Sequence, residues 1–548
     1  MREVDGASAQ DVQELLPCRN GGLTVRVRGE NGSPLLLHSL YDPVREAMAL
    51  VPAKITTDTI VFFGTGLGYH IPPILAANPH IRRVLIVERY PELAMRVESL
   101  IDNSRLTVSV ISPSATGDLS KLPPIPEDLV SADITLISHP PSIRANPDWY
   151  ASCRQEFWLA GKKRATPGRR REGPLTILAM FDSYYCQREA IRAFSRLGHR
   201  VVVHDCQGGE QRLADGVCKL IHDERPDLVF TVNMRGLDSR GVIAGMLERL
   251  GIPLALWFVD SPEFILREEA LPPSANTTIF LWEAAYADWI RARGYRTIYL
   301  PLAADEELLH AALPAERYRA GISFVGNSLV GGFLSRLASR FPKNPQTTTL
   351  AEQGIERIIS ARGRQLNALA EFMPAADDLP AGDARLFFQA YVLHGATTRY
   401  RTQLLERLLP EGVAFFGDPA GWQRLFGPQI KAHPDVHYYE ETPAVYASAD
   451  INFNATSMQM PTAVNQRVFD VPLCGGFLLT DRQESLAGLF AADEVATYVD
   501  ADDLVAKVGY YRQAPLLRRE IAEKARRRVL AEHTYQARMR TLLAKIFG

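Results

Sequence analysis

Cysteine is scarce, the charges balance, and long apolar runs are missing; each absence removes a class of protein. The six cysteines among 548 residues, Cys18, Cys153, Cys186, Cys206, Cys218 and Cys474, are scattered. None falls in a C-x-x-C pair or at metal-ligand spacing, so a disulfide scaffold and a zinc ribbon are excluded. Reduced thiols in a cytoplasmic protein are expected. With 61 basic and 63 acidic residues the formal net charge is −2, which leaves no whole-chain field for nucleic acid or an anionic membrane surface. No stretch approaches the roughly twenty apolar residues of a membrane span, and acids at Glu3 and Asp5 precede any signal-peptide core. No D-x-D stands at a strand end; Asp500-Ala501-Asp502 fits the string but lies in a polar turn, so nothing requires a metal.

What the chain does have is alternation of short apolar runs with helical lengths, which predicts an α/β fold of about three units. The expected boundaries are an N-terminal unit over 1–160, a basic linker over 161–173 rich in Lys and Arg, a second unit over 174–317 and a third over 318–548. In the first unit, Thr59 to Phe63 reads as a strand entering the turn Gly64-Thr65-Gly66-Leu67-Gly68-Tyr69-His70. A second strand, Arg83 to Val87, then ends in Glu88 about twenty residues after the glycines, the geometry of a Rossmann mononucleotide site. Strands expected in the second unit are Leu175 to Met180, Val201 to Val203, Leu228 to Val232, Leu254 to Val259, Thr278 to Leu281 and Thr297 to Leu300. In the third they are Ile322 to Val325, Val413 to Phe416, Val436 to Tyr439, Ile451 to Phe453 and Phe477 to Leu479. Such runs suit parallel sheets buried on both faces. A helical insertion is expected over about 354–409, and amphipathic closing helices from Leu504 onward.

Open parallel sheets bind ligands at the carboxyl ends of their strands. In the second unit those ends carry Asp182, Asp260 in Trp257-Phe258-Val259-Asp260-Ser261-Pro262, and Glu283; capping of the next helix is the structural alternative for Asp260. In the third unit they carry Gly326-Asn327, Gly417-Asp418 and Asn454. Most informative is Asp450 to Asp481, predicted as strand, helix, Gly475-Gly476 turn and strand. The helix is expected from Ala463 to Leu473, with free N–H groups near Pro461 and Thr462 to favour a phosphate and Arg467 to fork onto diphosphate oxygens. A plain β-α-β unit with a solvated Arg467 is the alternative.

This segment resembles the nucleotide-binding part of GT-B glycosyltransferases, and most closely the CgeB-like (spore-protein CgeB/YkvP) family. Ser323-Phe324-Val325-Gly326, Phe416-Gly417-Asp418 with Trp422, and Arg526-Arg527-Arg528 before His533-Thr534-Tyr535 carry the same resemblance over about 175–548. It implies a GT-B architecture: two Rossmann-like domains facing a cleft, the nucleotide-sugar donor (UDP-, GDP- or dTDP-sugar) on the C-terminal one and the acceptor hydroxyl on the other. Asp470-Val471-Pro472-Leu473-Cys474-Gly475 stands where group-1 relatives have Glu-Ala-Met-Ala-Cys-Gly, so Asp470 would hold the ribose hydroxyls. Those relatives have a further Glu where this chain has Thr462, so the sugar is expected to be held differently. Glycosyl transfer would take Asp260, Asp182 or Glu283 as base. The first unit resembles class I methyltransferases, with Glu88 on the ribose of S-adenosylmethionine, and its Gly-Tyr-His also resembles Maf-type motility accessory proteins. The second likeness implies a protein acceptor such as flagellin; a glycan acceptor, a methyltransferase and a non-catalytic GT-B-shaped binding protein remain as alternatives.

Overall fold

The computed structural model describes residues 12–52, 54–102, 104–113, 134–159, 173–207, 210–361 and 382–548. All of the expected linker but Gly173, and the middle of the expected insertion, lie outside them. Strands β1 (Val12–Pro17), β2 (Leu23–Arg28) and β3 (Pro34–Leu36) make a small antiparallel sheet that the apolar runs do not announce. Next come β4 (Thr59–Phe63), β5 (Arg83–Val87), β6 (Thr107–Ile111) and β7 (Ile134–Ser138), a parallel sheet in the order β6-β5-β4-β7. The central sheet holds β8 (Thr176–Phe181), β9 (Arg200–Asp205), β10 (Leu228–Val232), β11 (Leu254–Phe258), β12 (Thr277–Leu281) and β13 (Arg296–Tyr299), ordered β13-β12-β11-β10-β8-β9. The C-terminal sheet holds β14 (Ala320–Val325), β15 (Val413–Phe416), β16 (Lys431–His433), β17 (Ala449–Asn454), β18 (Leu478–Asp481) and β19 (Ala496–Tyr498), ordered β16-β15-β14-β17-β18-β19.

Every residue of β10, β11 and β12 is buried, as expected of parallel strands covered on both faces by crossover helices. The strand order reverses between β8 and β10 and between β14 and β17. A crevice opens at such switch points, outside the carboxyl ends of the strands, and the two crevices face each other. The run 436–439 is not a strand: β16 pairs with β15 at Lys431–His433, and Pro434, which lacks an N–H, ends the ladder.

The stretch expected as an insertion lies within the crossover from β14 to β15. Its helices Pro345–Ser360 and Asp383–Leu408 bury Leu350, Ile355, Ile358, Phe388, Val392, Ala396, Leu405 and Leu408 in the core of the C-terminal sheet. They approach closely because Gly354 and Gly395 lie in the contact. A Cβ on the first would stand 2.8 Å from Val392 Cγ1, and one on the second 2.9 Å from Ile355 Cδ1.

The N-terminal parallel sheet is no separate bead. Helix Pro147–Leu159 packs Tyr150, Cys153, Phe157 and Trp158 into one continuous core shared by both sheets. Each such large side chain contributes roughly 1.5–3 kcal/mol on burial. At the other end of the chain, helix Tyr535–Phe547 returns from the C-terminal domain to pack on helix Gln187–Arg196 of the central one.

Candidate active site

A cleft of about 770 Å³ lies between the carboxyl ends of the central and C-terminal sheets. On its C-terminal wall, helix Arg467–Leu473 presents Arg467 and Asp470. Asp470 is 1% exposed and accepts from the Tyr438 hydroxyl (2.8 Å) and Gln466 Nε2 (3.2 Å). Burial pushes its carboxyl up to about 8. Arg467, half-buried, donates from Nη1 to Asn454 Oδ1 (3.2 Å) and faces the Phe324 ring at 6.0 Å. Gly326 leaves it room, since a Cβ there would stand 2.8 Å from Nη2.

A second guanidinium, that of Arg401, lines the same wall from helix Asp383–Leu408. Arg401 donates to the Ala455 carbonyl at 3.3 Å and is 8% exposed. Burial pulls its guanidinium down to about 9, and the charge of Arg467 pushes the same way. Neither arginine makes an ion pair with a carboxylate among the described residues. A buried cation beside a half-buried one, with no carboxylate partner among the described residues, is costly, and an anion entering the cleft would offset that cost.

The opposite wall carries Asp260 at the end of β11. Its Oδ2 accepts from the Tyr184 hydroxyl and from Asn233 Nδ2 (2.9 Å), and its Oδ1 from Gln459 Nε2 (3.4 Å). Capping is not its role: the turn that follows, Pro262–Phe264, has Ser261 at its cap position. The loops that aim these donors hold Ser183, Cys186, Asn233 and Met234 at φ of 65°, 68°, 51° and 58°. Backbone held in this region by non-glycine residues clusters at binding and catalytic sites. His394 also lines the cleft; burial pulls its imidazole down to about 4, against the opposing charge of Asp260.

Several expected site residues stand elsewhere. Glu283 is fully buried and accepts from Thr462 N (2.9 Å), Ala463 N (2.8 Å) and Thr462 Oγ1, so no substrate proton reaches it. The amides expected to meet a phosphate are those same two, because the helix begins at Arg467 rather than at Ala463. Asp182 is not part of the cleft lining; its Oδ2 pairs with Arg235 Nη1 at 3.0 Å. Asp418 is turned away to cap helix Pro419–Phe426 and to accept from Ser328, while Gly417, Gly326 and Asn327 remain on the lining. Asn454, fully buried, holds Arg467 from behind. Gly475, at φ 78°, and Gly476, which faces the Tyr446 carbonyl, close the far end of the helix away from the cleft. Asp500 caps helix Ala501–Arg512.

In the N-terminal unit the glycine turn is filled by the protein itself. A Cβ on Gly64 would meet Ser142, on Gly66 His38, and on Gly68 Val97. Glu88 is fully buried and accepts from Thr65 N (2.7 Å), Thr65 Oγ1 (2.9 Å), Tyr90 N (3.2 Å) and the Tyr150 hydroxyl (3.0 Å). The acid expected on a ribose therefore ties the turn to helix Pro147–Leu159.

Arg401, His394, Tyr438 and Gln466 are additions of the structure. One signal for the first two was present: His394, Thr397 and Arg401 recur at helical spacing on a face otherwise apolar.

Two Rossmann-like α/β domains that meet across a cleft make the GT-B architecture. Residues 399–544 match the family model described as "Glycosyl transferase-like". No curated protein matches the chain significantly. Among solved structures, it is similar to a sucrose-phosphate synthase from Thermosynechococcus elongatus, with 12% identity over 68% of this chain and 98% of that one and a TM-score of 0.37. HepE of Anabaena, solved with UDP and glucose, has 14% identity over 68% and 99%, and a TM-score of 0.37. The glucosyltransferase BGT of phage T4, solved with its UDP-glucose substrate, has 11% identity over 68% and 99%, and a TM-score of 0.38.

Proposed function

We propose that the chain transfers a sugar from a nucleoside-diphosphate donor to an acceptor hydroxyl. The observation that carries this reading is the pair of arginines on the cleft wall beside Asp470, Arg401 buried and Arg467 half-buried, without an ion-pair partner among the described residues. A diphosphate supplies the missing charge, and Asp470 with Tyr438 stands ready for the ribose hydroxyls. Asp260 faces them as base: it takes the acceptor's hydroxyl proton as that oxygen attacks the anomeric carbon. The bond from that carbon to the phosphate oxygen breaks, and the diphosphate leaves with the electron pair, its charge met by the two guanidiniums. With two cations already in place, the departure is assigned to arginine rather than to a metal ion. The resemblance of the N-terminal unit to motility accessory proteins supports a protein hydroxyl, such as a flagellin Ser or Thr, as acceptor.

Calorimetry with UDP, GDP, dTDP and S-adenosylmethionine tests the reading. One of the three nucleotides should bind, and its affinity should fall about 10- to 100-fold in Arg401→Met and in Arg467→Met, the loss of a charge-assisted contact. Binding of S-adenosylmethionine alone would overturn it. Binding without hydrolysis or transfer of the matching sugar donor would leave a binding protein.

A further inference from the structure

The segment between β17 and helix Arg467–Leu473, residues 455–466, belongs by sequence to the C-terminal domain, yet the central domain holds it at four points. Glu283 accepts from Thr462 N, Thr462 Oγ1 and Ala463 N. The Tyr286 hydroxyl donates to the Gln459 carbonyl at 3.2 Å. Gln459 Nε2 reaches Asp260 at 3.4 Å, and Gln466 Nε2 donates to the Ala303 carbonyl. Two further attachments of the segment lead to the donor wall. Met458 N donates to Thr397 Oγ1 (3.0 Å), one helical turn from Arg401. Asn465 Nδ2 donates to the same Asn454 Oδ1 (3.0 Å) that receives Arg467.

We propose that Glu283 is a positioning residue: by clasping Thr462 and Ala463 across the domain boundary, it sets the 455–466 segment so that Gln459 orients the Asp260 carboxylate when Arg401 and Arg467 are in place. The inference rests on the glycosyltransferase reading for what is being positioned, but the clasp itself is independent of it. Glu283 is fully buried and lies outside the cleft lining. Its charge is met by three backbone amides, those of Thr462, Ala463 and Ala285, and by the Thr462 hydroxyl, which would otherwise lose their acceptor. Thr462 occupies the place where group-1 relatives carry a sugar-facing acid, so here a carboxylate reaches that stretch from the other domain and binds its backbone.

The test uses Glu283→Gln in the full chain, with Thr462→Val as a milder second variant. Thr462 N and Ala463 N share Oε2 while Thr462 Oγ1 and Ala285 N share Oε1. The carboxamide of Glu283→Gln turns one of these oxygens into an NH2 group, so at least one N–H loses its acceptor, whereas Thr462→Val removes only the hydroxyl donor and leaves both amides of the segment held. Hydrogen exchange of the ligand-free protein should rise at least tenfold in peptides covering 459–466 and stay unchanged elsewhere. With the nucleotide that the wild type binds, Kd should stay within about threefold, because Arg401, Arg467 and Asp470 are untouched. Turnover of the matching sugar donor should drop at least tenfold in kcat for Glu283→Gln and less for Thr462→Val. Unchanged exchange in the segment, protection lost equally across the chain, or a loosened segment with unchanged kcat would each overturn the proposal. If the wild type binds no nucleotide, the functional reading fails while the exchange experiment still decides whether the clasp exists.

Discussion

Asp470 sits 1% exposed on the wall of a cleft, with its carboxyl pushed up to about 8 by burial. At neutral pH it is mostly neutral, whereas two ribose hydroxyls are better met by an ionised acceptor, so nucleotide binding releases a proton. Affinity for the bound nucleoside diphosphate should therefore rise between pH 6 and 8, by at most about tenfold per unit, and level off above. Calorimetry across that range checks it, and Asp470→Asn should give a flat profile with weaker binding. Stability runs the other way. Asp470 and Asp481, the latter raised to about 7 by burial, have folded values above the ordinary 3.8. Their contribution to folding is complete below that ordinary value and is lost as pH climbs through about 7 and 8. The melting temperature of the ligand-free protein should fall from pH 5 to 8, and less steeply in Asp470→Asn.

Helix Asp383–Leu408 is the element on which the donor wall depends, since it carries His394, Thr397 and Arg401 while its apolar face sits in the core. Its position is set by the close approach at Gly354 and Gly395. Gly395→Val should overpack that contact, costing about 1–3 kcal/mol by denaturant titration, and should also weaken nucleotide binding although no ligand contact is touched. The same helix shows where sequence reading stops. The inner strands of both large sheets were legible because both faces are buried, which leaves unbroken apolar runs such as Leu254 to Phe258, whereas the short edge strands β16 and β19 carry no such run and were not expected at Lys431–His433 and Ala496–Tyr498. The placement of Asp470 and Arg467 on one helix was legible because their spacing is local. The clasp of Glu283 on Thr462, a partner in the other domain, was not, and neither was the later start of the helix that follows from it. Local spacing cannot show an acceptor that arrives from another domain.

The whole molecule reads as three parallel sheets and one small antiparallel sheet around two large cores, with the N-terminal unit welded on through helix Pro147–Leu159. Its buried pair, Arg154 Nη1 with Asp215 Oδ2 at 3.1 Å, spans the seam. A chain lacking residues 1–160 should expose the apolar surface of helices Glu210–Glu224 and Val242–Leu250. Scanning calorimetry and light scattering should find it melting lower and self-associating. The two large domains share the first of those cores too, through Val464, Val468, Phe469 and Leu473. The chain crosses from central to C-terminal domain after β13 and crosses back before helix Tyr535–Phe547, and the crossings lie side by side, bridged in parallel at Ala304 and Thr534. The Ala304 amide donates to the His533 carbonyl at 2.9 Å, and the Tyr535 amide donates to the Ala304 carbonyl at 3.1 Å. Two segments pinned together along one line keep the two crossings in fixed register, so both passages of the chain between the domains form a single joint.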